Sequence, residues 1–156
     1  MVCYPVVVVY PCHCRENICV GLHHVAFRTD KCIADCSLHE LYDMLIIVGG
    51  RLDGVHEDTN FQEFLWHHYN AGKFIAVCCT SLLPIGSLGL FKNHRIVSTD
   101  LIVGKIEAKE FVNQHVLHDG NVVTARGFSS CMTFSLELCE ILAGKQIREE
   151  IEENLL

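Results

Sequence analysis

The chain has 156 residues, half of them apolar, and 12 Lys and Arg stand against 19 Asp and Glu for a formal net charge of −7. This length suits one compact domain with a full core, and an acidic excess spread along the chain is not shaped to neutralise phosphates, so no nucleic-acid partner is expected. No apolar run approaches the roughly 18 to 20 residues that span a bilayer, and the opening MVCYPVVVVYP has no basic segment ahead of its apolar stretch; the expectation is a cytoplasmic protein with no membrane partner.

In chain order, VVVVY (6–10), ICVGL (18–22), MLIIV (44–48), FIAVC (74–78) and NVVT (121–124) are short β-branched runs bounded by turn residues, and they read as buried strands. Continuous apolar runs of this kind fit a parallel sheet covered on both faces. Residues 60–70 place Phe61, Phe64, Leu65 and Tyr69 on one helical face, and residues 130–143 place Phe134, Leu138 and Leu142 on another. Gly72 and Gly144 are the expected stops, and the charged tail beyond, with Ile147 and Ile151 four apart, can dock as a last helix. Only residues 11–17 separate the first two strands, whereas parallel neighbours need a crossover of about a dozen residues. Either those strands are not parallel neighbours or the usual first helix is missing.

Ten cysteines in a chain with an ample core are expected as free thiols, mostly small buried hydrophobes. Cys12, Cys14, Cys19, Cys32 and Cys36, with His13 and His23, lack the spacing of paired zinc knuckles, so no metal site is expected. His67 and His68 are adjacent and do not share a helical face as two ligands would; they read as surface or half-buried histidines. Lys92, His94 and Arg95 read as a solvated basic turn.

The chemistry concentrates in FIAVCCTSLLPIGSLGL, where a buried strand runs into a helical pattern with Cys79 at the junction. Such a turn lifts a side chain out of the sheet and sets it against the first N–H groups of the helix, which favour a thiolate. The alternative is that Cys78 and Cys79 are both buried core residues.

Four blocks, YDMLIIVGG (42–50), GKFIAVCC (72–79), GLFKNHRIVSTD (89–100) and DGNVVTARG (119–127), resemble in order the DJ/ThiJ/PfpI superfamily patterns YDxxxxPGG, GKxxAAIC, GLLKGRxxTxHP and DGNxxTSRGPG. The resemblance covers most of the chain and implies a flavodoxin-like three-layer α/β/α fold with a mainly parallel sheet, one domain over residues 1–156, and a homodimer. It implies Cys79 as nucleophile, Gly49, Gly50 and Thr80 around an oxyanion pocket, Arg126 and Gly127 near the site, and Arg28 at a dimer contact. The family's acidic partner of the thiol is matched by Glu16, and its histidine is placed at about Ala108, a residue that cannot carry a proton.

The activity implied is of glyoxalase III or protein-deglycase type on a small aldehyde or a glycated protein, with no cofactor or metal. The competing implication is an oxidative-stress sensor or redox-regulated chaperone with little turnover. A glutamine amidotransferase is disfavoured, because no histidine follows His118.

Overall fold

The computed structural model describes residues 6–9, 18–20, 24–37, 39–50 and 54–155. The elements in order are β1 (Val6–Val9), β2 (Ile18–Val20), β3 (Ala26–Arg28), β4 (Met44–Ile47), α1 (Thr59–Asn70), β5 (Phe74–Cys78), α2 (Leu82–Ser87), β6 (Arg95–Ile96), β7 (Glu110–Phe111), β8 (Val116–Asp119), β9 (Val122–Ala125), α3 (Cys131–Ala143) and α4 (Lys145–Leu155). The main sheet runs β1-β4-β5-β9-β8; its first four strands are parallel, and β8 closes the edge antiparallel to β9.

Side-chain alternation divides the core between two faces. Leu45, Ile47, Ile75, Val77 and Val122 pack with Phe61, Phe64 and Leu65 of α1, while Met44, Ala76, Cys78, Val123 and Ala125 pack with Phe134 and Leu138 of α3. The result is the expected three-layer, flavodoxin-like arrangement. The Asp58 carboxylate caps α1 by accepting the N–H groups of Asn60 at 2.9 Å and Phe61 at 3.3 Å. Burying each α1 phenylalanine contributes roughly 1.5–3 kcal/mol.

Several expectations are corrected. Residues 18–20 form no part of the main sheet: β2 pairs antiparallel with β3, and only Cys19 of the three is buried. The parallel neighbour of β1 is β4, so residues 11–17 need not make the crossover. Those residues, and with them the question of a first helix, lie outside the described residues. Cys19 is disulfide-bonded rather than a free thiol, whereas Cys36, Cys78, Cys79, Cys131 and Cys139 are free.

The histidines and the basic turn also differ from expectation. His68 is fully buried. His94 is buried too: its Nε2 meets the Tyr69 hydroxyl at 2.8 Å and its Nδ1 the Asp119 carbonyl at 3.0 Å. Arg95 makes two guanidinium bonds, of 3.2 and 3.1 Å, to the Asp119 carboxylate, which Arg95 holds below its ordinary range. The basic turn is therefore a clamp between β6 and the β8–β9 hairpin. Lys92, exposed like Arg95, pairs with Glu107 at 3.0 Å.

Candidate functional site at the carboxyl ends of the strands

Parallel register brings three chain segments to one end of the sheet. Ile47 pairs with Val77 and Cys78 with Ala125, so Gly49–Gly50, Cys79 and Arg126–Gly127 all follow the last residues of three adjacent strands. This is where open α/β sheets hold their sites.

Cys79 has a φ of 61°, a left-handed conformation that a non-glycine residue adopts only when its surroundings enforce it. It is half-buried and opens a 3-10 turn, Cys79–Ser81, that leads into α2. Because α2 has only six residues, the expected helix dipole contributes little, and the local backbone donors matter more. Two hydroxyls brace the turn. Ser81, fully buried, shares its proton between the carbonyls of Ile47 at 3.0 Å and Cys78 at 2.5 Å, tying the ends of β4 and β5 together. Thr80 accepts the Gly50 N–H and reaches the Gly50 carbonyl, each at 3.0 Å.

Gly49 touches the elbow directly. A Cβ built there would lie 2.9 Å from Cys79 Cβ, 3.3 Å from Cys79 Sγ and 3.3 Å from Thr80 Oγ1. The neighbouring Cys78 is the inert member of the thiol pair: burial pushes it up, and the Gly49 N–H bonded to it opposes this only in part. Of the two N–H groups of the glycine turn, that of Gly50 is engaged by the Thr80 hydroxyl.

Arg126 reaches the strand ends through its backbone, while its guanidinium turns aside to Asn113 at 3.1 Å and Asp100 at 3.4 Å. Gly127, in extended backbone, has Thr99 as its neighbour, with Thr99 Cγ2 3.9 Å from a Cβ built there. This corrects the position given to the family's histidine. Ala108 packs against the core on the α1 side, and the pattern GLLKGRxxTxHP laid on residues 89–100 position by position puts the histidine on Thr99. Glu16 lies outside the described residues. The Thr80 hydroxyl bond and the turned Arg126 were not legible in the motifs, since both depend on residues that differ from the family pattern.

Comparisons with known proteins find relatives of the same fold. The chain is 27% identical over 145 residues to "Protein DJ-1 homolog A" of Arabidopsis thaliana, covering 90% of this chain and 36% of that protein. It is 29% identical over 109 residues to "Glutathione-independent glyoxalase DJ-1" of Schizosaccharomyces pombe, covering 67% of this chain and 56% of that protein. The solved structure of oxidized Toxoplasma gondii DJ-1 superposes with a TM-score of 0.82 at 25% identity, over 97% of this chain and 81% of that one. The chain spans about a third of the length of the Arabidopsis relatives it matches. With the DJ-1/PfpI family model matching residues 3–141, the chain belongs to the DJ-1/PfpI family.

Proposed function

We propose that this chain is a cysteine-dependent enzyme of glyoxalase III or deglycase type acting in the cytoplasm, with Cys79 as nucleophile. The observation that carries the reading is the strained Cys79 backbone, held at the strand ends against Gly49. A protein spends strain on a non-glycine residue where it must present that side chain. The similarity to a glyoxalase of S. pombe points the same way.

In this chemistry Cys79 Sγ adds to the aldehyde carbon of methylglyoxal, and the carbonyl oxygen takes up a proton to give a hemithioacetal. A proton moves from that carbon to the adjacent one through an enediol, leaving a thioester. Water then releases lactate and restores the thiol. Glu16 is the proposed proton carrier, and the Thr80 N–H in the first turn is a proposed donor to the oxyanion. No cofactor or metal takes part in this scheme.

A second reading, a redox sensor or chaperone in which Cys79 is oxidised and turns over little, is favoured by two observations. Thr99 stands where the histidine would be, and the Gly50 N–H is occupied. The deciding experiment follows methylglyoxal conversion to lactate by the pure protein and by Cys79→Ser. Turnover that disappears in the variant supports the enzyme; no turnover in either protein rejects it in favour of the sensor.

A further inference from the structure

Cys79 Sγ and the Thr80 hydroxyl oxygen each lie 3.3 Å from a Cβ built at Gly49, and that hydroxyl is bonded to the Gly50 peptide groups next along the turn. Gly50 has a φ of 155°, which L side chains rarely adopt, so its peptide group is presented in an orientation that glycine makes possible. One hydroxyl holds both ends of that residue, accepting from its N–H and donating to its C=O at 3.0 Å each. A hydroxyl can do this because it combines one donor with two acceptor lone pairs. An alanine, as in the family's CAGP, has nothing to offer either group.

We propose that Thr80 is a positioning residue that latches the site: its hydroxyl withholds the Gly50 N–H from an anion at Cys79 until a reacting group displaces it. The displacing group is an anionic oxygen bound to the Cys79 sulfur or its adduct, such as the alkoxide of a hemithioacetal or a sulfinate oxygen. Because Thr80 is exposed, the latch opens at small cost, and the N–H passes from a neutral acceptor to a charged one, a stronger bond. The resting thiol is correspondingly slower to react than the elbow geometry alone would make it. This inference rests on the reading of Cys79 as the reacting thiol and adds a restraint upon it.

The test uses the full chain, with limiting iodoacetamide and peptide mass to read Cys79 alone, across a pH series. Among the described residues, the titratable groups around this elbow are Cys78, on which both Cys79 and Cys131 act, and Arg126 at the end of the adjacent strand, whose guanidinium turns to Asn113 and Asp100. Substituting Thr80 leaves all of them in place. Removing the latch in Thr80→Ala is expected to speed alkylation on the acid side of the profile by about 3- to 10-fold, the worth of one freed hydrogen bond to a thiolate, and to move the profile to lower pH. Thr80→Ser, which keeps the hydroxyl, is expected to restore the slow rate. The side chain is exposed, so neither change threatens the fold. An alanine variant with an unchanged or slower profile overturns the latch while leaving the thiol reading intact. A Cys79 that takes no label in any of the three proteins overturns both.

Discussion

The backbone N–H of Tyr42 donates to His68 Nε2 at 3.1 Å, joining the approach to β4 to the fully buried face of α1. The other ring nitrogen, Nδ1, donates to the Phe64 carbonyl at 2.8 Å. The two bonds together require the neutral imidazole, with its proton on Nδ1.

Burial holds His68 below its ordinary value, and His67 and Lys73 add repulsion that the Phe64 carbonyl only partly offsets. The unfolded chain therefore takes up a proton near pH ~6.5 that the folded chain refuses. Above that pH the group has no effect on stability, and below it stability falls by up to about 1.4 kcal/mol per pH unit. Urea unfolding of the wild type and of His68→Gln, compared between about pH 7.5 and 5.5, is expected to show a flatter dependence in the variant. Equal slopes would assign the acid sensitivity to other groups.

Gly49→Ala is expected to lower iodoacetamide labelling of Cys79 sharply while the protein stays folded. The added Cβ meets Cys79 Cβ at 2.9 Å, so the elbow must move, at a cost of about 1–3 kcal/mol. Gly127→Ala meets only Thr99 Cγ2, at 3.9 Å, and is expected to change stability by less than ~0.5 kcal/mol. Full labelling of Cys79 in the Gly49 variant would mean that the contact is not structural.

The β2–β3 ribbon exposes Ile18, Val20, Val25 and Phe27, with Arg28 also exposed at its end. A run of exposed apolar side chains on so small a unit is what a partner surface covers. Sedimentation at micromolar concentration is expected to give a dimer, and Val20→Glu to shift it toward monomer. A compact monomeric wild type would contradict this.

The sequence is most informative where one physical rule dominates. The runs that became β4, β5 and β9 are apolar on both faces because both faces are covered, and the stripe Phe61, Phe64, Leu65 has only one helical solution. Legibility fails where partners come from afar. β2 looked like a core strand because its composition is apolar, yet its pairing with β3 leaves Ile18 and Val20 in solvent. β8 is poorly marked by its own composition, although Gly120–Asn121 between VLHD and VVTA is a hairpin signal. His94 passed for a surface residue because Tyr69 and Asp119, its partners, are 25 residues away on either side. At the candidate site the position of Cys79 was readable from the junction of two periodicities, but the Thr80 bond to Gly50 spans 30 residues and depends on the register of β4 against β5.

That register has a mechanical consequence at the sulfur. Gly49 meets Cys79 with no side chain between them, so the ends of β4 and β5 are in contact without the soft padding that rotamers give elsewhere. A displacement of β4 by a few tenths of an ångström, from repacking at Ile47 or beneath Phe64, passes into the elbow undamped. The reactivity of this thiol is thus a gauge of how the central strands sit against each other, and substitutions deep in the core will be read first as altered chemistry at the surface.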